Sequence, residues 1–137
     1  MSTDYINPEN LSKELLKSAC DAALMDTSYD NDGDLSVKEQ LACWIIPDMK
    51  SKDRIKLLSL FGFKPEASNL ERLECVNRIN RAYIIVKAYV SDNDCLFFQY
   101  DLYIGDGISK KTFIKAVKRF CSIPREAIRD HGAEIVL

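Results

Sequence analysis

The chain has 137 residues with 19 basic and 21 acidic side chains, and its formal net charge of −2 gives no global field to draw nucleic acid or an anionic membrane. With 47% hydrophobic and 29% charged residues it is too apolar for a disordered chain, and its length suits one domain around one core. Met1-Ser2-Thr3-Asp4-Tyr5 lacks the basic and then apolar order of a signal peptide, and no apolar run approaches the roughly 18 residues that cross a bilayer. A cytoplasmic protein without membrane contact is expected.

Asn7 and Pro8 predict the start of a first helix running to about Leu24, with Leu11, Leu15, Leu16, Ala19, Ala22 and Ala23 as its apolar stripe. An acidic run, Asp26 to Asp34, leads into a short strand at Leu35 and Val37. Cys43-Trp44-Ile45-Ile46 reads as a second strand, stopped by Pro47 and Asp48. Arg54 to Phe63 is a third, longer one. It is apolar on both faces, which suits a central or doubly covered strand and hints at a dimer surface.

Ser68 or Asn69 caps a second helix that should end near Arg81, with Leu70, Leu73, Val76, Asn77 and Ile79 on its packing side and Glu71, Arg72, Glu74 and Arg78 outward. Tyr83 to Val90 and Cys95 to Ile104 alternate as strands around Ser91-Asp92-Asn93-Asp94, a connection of hairpin length. Gly105-Asp106-Gly107 turns the chain, and Ser109 caps a third helix with Phe113, Ile114, Ala116, Val117 and Phe120 inward. Pro124 opens a short terminal helix. The fold class is therefore α+β, in the order α-β-β-β-α-β-β-α, with one five-stranded antiparallel sheet packed by helices. Residues 1–137 form a single domain, frayed over 1–7 and 130–137.

Chemistry-bearing residues are sparse. The window Ser28 to Glu39 places oxygen donors at the third, fifth, ninth and twelfth positions of a calcium loop with Gly33 at the sixth. Its first position is Ser28 instead of aspartate, and Leu35 and Val37 suit the start of a hairpin, so an acidic turn is the better reading. His131 stands alone, too few ligands for zinc and no basis for a triad. Asp101 with Glu71 or Glu74 is the one carboxylate pairing that a small hydrolase could use, yet nothing sets the two in different environments. Gly105 to Lys111 superficially resembles an anion cradle, but a turn and a helix cap account for it, and Asp106 opposes phosphate. The five cysteines, Cys20, Cys43, Cys75, Cys95 and Cys121, are widely spaced and read as small buried hydrophobes. No catalytic, cofactor or metal residue is assigned. Tyr83, Lys87, Tyr89, Phe97 and Tyr103 put aromatic area on the less hydrophobic sheet face, a surface suited to a protein or peptide.

Leu57-Leu58-Ser59-Leu60-Phe61, Val76-Asn77-Arg78-Ile79-Asn80-Arg81, Val86-Lys87-Ala88-Tyr89-Val90, Tyr100-Asp101-Leu102 and Gly107-Ile108-Ser109 occur in an order that resembles the YbjN family of bacterial sensory transduction regulators, and Phe113 to Phe120 is similar to its last core helix. The resemblance implies a fold like that of the small secretion chaperones and frequent dimerisation. It implies a regulatory or stress-related role with no shared catalytic residues. Asn77, Asn80 and Asp101 occupy family-like positions, as hydrogen-bonding structural residues or as ligand contacts. The expected function is a non-enzymatic regulatory or chaperone-like protein-binding module, as a homodimer. A calcium-binding structural module is the second reading and a carboxylate hydrolase the third.

Overall fold

Two caps in succession delay the first helix. In a computed structural model, which describes residues 4–137, Asn7 Oδ1 accepts from the amides of Glu9 and Asn10 and closes only a turn. Ser12 Oγ then accepts from Leu15 N at 3.0 Å, and the helix proper begins. The elements are β1 (Tyr5–Ile6), α1 (Lys13–Ala22), β2 (Asp26–Tyr29), β3 (Leu35–Lys38), β4 (Ala42–Pro47), β5 (Arg54–Gly62), α2 (Asn69–Ala82), β6 (Lys87–Val90), β7 (Cys95–Tyr103), β8 (Ile108–Ser109), α3 (Lys110–Cys121) and α4 (Pro124–His131). The α+β class with antiparallel strands holds. The main sheet, however, has six strands in the order β2-β3-β4-β5-β7-β6, not five, and β1 pairs with β8 in a small sheet of its own.

The extra strand is β2. Its residues Asp26, Thr27, Ser28 and Tyr29 are half-buried or exposed, so no apolar alternation marks it. Its partner supplies the definition, with Asp26 opposite Lys38 and Tyr29 opposite Leu35.

The described chain divides into two units by its internal contacts. The first comprises residues 4–57 and 101–121. In it α1 lies against β2, β3 and β4 and also meets α3, whose Ser109 cap accepts from Thr112 N. Leu16, Cys20, Leu35, Ile45, Phe113 and Phe120 are fully buried in its core. The second comprises residues 58–100 and 122–137, with α2 packed on β6 and α4 packed on α2. Its core holds Cys75, Ile79, Leu96, Phe98 and Ala127, and Phe61 meets the Phe98 ring edge-on at 5.8 Å between centroids.

Three expectations change. Strand β5 is buried on one face only, because Ile55, Leu57 and Ser59 are fully covered whereas Leu60 is 41% exposed. Strand β6 starts at Lys87 instead of Tyr83, since Ile85 adopts a φ of 64° and breaks the extended run. Helix α2 is rotated about its axis, with Cys75, Val76 and Ile79 buried and Leu70 and Leu73 turned outward. The reason is Arg72, whose guanidinium lies 5.3 Å from the Phe63 ring centroid and reaches Asp94 at 3.5 Å, occupying the inward side.

Frayed ends are expected over residues 1–7 and 130–137. Tyr5 and Ile6 pair with Ser109 and Ile108, and Val136 is buried and bridges to Phe63. Lys64 N donates to Ile135 O at 2.8 Å and Leu137 N to Gly62 O at 2.9 Å. The fraying expected at residues 1–3 lies outside the described residues.

Candidate functional site

The β6–β7 hairpin carries most of the aromatic surface read from the sequence. Its register sets Lys87 opposite Gln99 and Tyr89 opposite Phe97, so these four side chains share one face while Ala88, Leu96 and Phe98 enter the core. The Tyr89 and Phe97 rings lie 5.4 Å apart at 37°, and the Tyr89 hydroxyl donates to Gln99 Oε1 at 2.8 Å. Lys87 Nζ sits 5.6 Å from the Tyr89 ring centroid. Cross-strand aromatic contact of this kind fixes rotamers before any partner arrives, which lowers the entropy lost on binding. Tyr89 and Phe97 are half-buried and Lys87 is exposed.

One of the five aromatic-face candidates is not on a strand. Tyr83 is the residue capping the C-terminus of α2 and meets the His131 ring edge-on at 6.0 Å, so it is not a strand residue. Burial first, then the charges of Glu126 and Asp130, raise its phenol pKa. Tyr103 belongs to the other unit and is 68% exposed at the end of β7.

The family-like residues differ in role. Asn80 makes two hydrogen bonds with Ala88, donating from Nδ2 to the carbonyl at 3.0 Å and accepting at Oδ1 from the amide at 2.9 Å. Asn77 is exposed on α2, and Asp101 is exposed on β7. Glu71 and Glu74 lie in the second unit and Asp101 in the first. Glu71 also closes a capping box, its Oε1 accepting from Ser68 N at 2.8 Å, and this contact holds its carboxyl below the usual range. A general acid needs the opposite shift.

Sequence reasoning missed a cleft of about 440 Å³ in the second unit. It is lined by Glu71, Glu74 and Arg78 of α2 and by residues 129–135. Arg78 Nη2 donates to the His131 carbonyl at 3.0 Å, and Arg129 pairs with Asp130 at 3.1 Å, holding that carboxyl low. Every carboxyl with a resolved shift among the described residues is lowered, namely Asp21, Asp30, Asp48, Glu71 and Asp130, so these remain ionised at neutral pH. The only sequence signal for the cleft is the charge density of the last turn of α4, which is ordinary for a surface.

The window Ser28 to Glu39 is a hairpin, β2 and β3 joined by a turn at residues 30–34. Asp30 Oδ1 accepts from the amides of Asp32 and Asp34, and Oδ2 accepts from Trp44 Nε1 at 3.0 Å. A calcium ion would have to compete with all three donors. Among the described residues no group of three or more His, Cys, Asp or Glu is placed to hold a metal. The Gly105 to Lys111 segment is likewise committed, since Lys110 N donates to Asp4 O at 2.7 Å and Thr112 N to Ser109 Oγ. No described helix is long and apolar enough to cross a membrane.

Comparison with known structures places this architecture. A crystal structure described as YbjN, "a putative transcription regulator from E. coli", superposes with a TM-score of 0.75 at 18% identity, covering 93% of this chain and 96% of that one. An uncharacterised protein from Methanothermobacter thermautotrophicus gives 0.62 at 17% identity, over 90% of this chain and 99% of that one. At these identities the likeness is one of fold. No curated protein sequence matches. Residues 12–130, most of the chain, match the model of the family YbjN, described as "Putative bacterial sensory transduction regulator", and the chain belongs to that family.

Proposed function

We propose that this chain is a non-enzymatic, cytoplasmic regulatory or chaperone-like module that binds another protein or peptide and self-associates as a homodimer, with residues 1–137 acting as one YbjN-like domain. Membership of a family of sensory transduction regulators supports a role in bacterial signalling or stress response. The observation that carries the binding role is the preset Tyr89 and Phe97 pair, buttressed by Gln99 and flanked by Lys87. Rigid aromatic area beside a cation is the kind of surface that anchors a protein segment. Tyr103 offers a separate exposed aromatic, and Asn77, Asn80 and Asp101 act as structural or ligand residues.

Cross-linking with mass spectrometry in native lysate tests the reading. A partner recovered reproducibly with the wild type, and lost with a folded Phe97→Ser variant, is the expected result. No reproducible partner across growth and stress conditions would contradict it.

A further inference from the structure

Glu74 and Arg78 stand one turn apart on α2, the spacing at which a helix ordinarily closes a salt bridge. They do not pair. Arg78 Nη2 donates instead to the neutral His131 carbonyl at 3.0 Å, and Glu74 has no ion-pair partner among the described residues. Both side chains line the cleft of about 440 Å³, a volume in the range of small-molecule sites, and the cleft lies wholly within the second unit.

The rest of the lining separates into groups already committed and groups still open. Arg129 pairs with Asp130 at 3.1 Å and with Glu126 at 3.8 Å, and Asp130 also accepts from the Tyr83 hydroxyl. Glu71 is occupied by its capping box. Glu134, on the returning chain, has no ion-pair partner among the described residues. Arg78 spends one N–H on His131, which fixes the guanidinium and leaves the rest of its planar fork for another acceptor. The open groups are thus one anchored cation and two carboxylates from different walls.

These groups select a ligand by charge. Four carboxylates against two guanidinium groups line the cleft, so a phosphate or other simple anion is repelled. A bare diamine leaves the Arg78 fork unanswered, and no set of ligands for a metal is placed among the described residues. An apolar molecule finds few apolar walls. We propose that the cleft binds a basic amino acid, lysine or arginine, with its α-carboxylate on the Arg78 guanidinium and its α-ammonium and side-chain cation on Glu74 and Glu134. A polypeptide ending in lysine or arginine offers the same carboxylate and side-chain cation. The site takes a different ligand from the Tyr89 and Phe97 surface and stands or falls apart from it.

Calorimetric titration of the full chain tests this with L-lysine, L-arginine, L-glutamate, cadaverine and Nα-acetyl-L-lysine as probes. Lysine and arginine are expected to bind. Cadaverine, which is lysine without its carboxylate, and glutamate, which reverses the side-chain charge, should each bind at least about tenfold more weakly, because a charge-assisted hydrogen bond is lost. Glu74→Gln and Glu134→Gln, both at exposed positions, should each weaken lysine by a similar factor, and Arg78→Gln should erase the preference for lysine over cadaverine. If Arg78→Gln fails to fold, the two glutamate variants carry the test. Arg81→Gln, on the same helix but outside the lining, should change nothing. Nα-acetyl-L-lysine binding as well as lysine would assign the cleft to polypeptide C-termini, and weaker binding would assign it to the free amino acid. Cadaverine matching lysine, an affinity indifferent to both glutamate variants, or no binding of lysine or arginine at millimolar concentration would overturn the proposal, while partner capture by the hairpin is measured separately.

Discussion

The carboxamide of Asn80 binds one residue, Ala88, through both its donor and its acceptor, at 3.0 and 2.9 Å. Strand β6 is the last in the sheet order, so the groups that Asn80 engages are those an edge strand would otherwise offer to another chain. By the alternation of antiparallel pairing, Lys87 and Tyr89 direct their main-chain groups to β7 and Ala88 directs its own outward. Asn80 thus closes the sheet and holds the hairpin on α2. Asn80→Ala is expected to cost about 1–3 kcal/mol, with faster amide exchange at Ala88 and greater aggregation on heating. Unchanged exchange at Ala88 would refute this.

Acid should be felt at Trp44, the only tryptophan. The Asp34 amide above all, then the Trp44 indole and the amides of Asp32 and Gly33, hold the Asp30 carboxyl below its usual 3.8, against a smaller opposing effect of burial. A carboxyl depressed in the folded state stabilises that state above its unfolded pKa. That stabilisation falls away as the pH drops from about 3.8 through the depressed value. Trp44 emission should shift in that window, and Asp30→Asn should remove the dependence. Superimposable acid titrations of wild type and variant would contradict the assignment.

Gly132 marks a close approach. A Cβ there would stand 2.9 Å from Cys75 Sγ and 3.2 Å from Val136, so side-chain volume at 132 forces α4 away from α2. Gly132→Ala should cost about 1–3 kcal/mol by chemical denaturation, and Gly132→Ser at least as much. No loss of stability would show that the α2 and α4 packing is looser than described.

The thiols should label unequally. Cys20, Cys43, Cys75 and Cys121 are buried and Cys95 is half-exposed at the start of β7. Burial pushes the Cys20 thiol up to about 12, leaving about one thiolate in ten thousand at pH 8. Iodoacetamide on the native protein should modify Cys95 first, as read by peptide mass spectrometry. Equal labelling of Cys20 would mean that the α1 packing opens readily.

What could be read from the sequence followed the strength of local signals. The hairpin at Ser91 to Asp94, the Ser68 and Ser109 caps and the α3 stripe all rest on turn chemistry or unbroken periodicity, and the structure places them as expected. Strand β2 was hidden because Asp26 to Tyr29 lies at the sheet edge, where nothing selects for apolar residues. The facing of α2 was misread because Arg72 packs inward on Phe63 while two leucines point out, the reverse of the usual pattern. The cleft beside His131 depends on how α4 and the last residues return to α2, a long-range event with no local signature.

Site-specific photo-cross-linking tests the binding role of the hairpin most directly. A photoreactive phenylalanine analogue replaces Phe97 in one protein and exposed Lys111 of α3 in another, and both are irradiated in living cells. The account predicts that position 97 captures a discrete protein partner and that Tyr89→Ser, which removes the neighbouring ring, diminishes the capture. Equal capture from positions 97 and 111, or none from 97 under any growth condition, would contradict it.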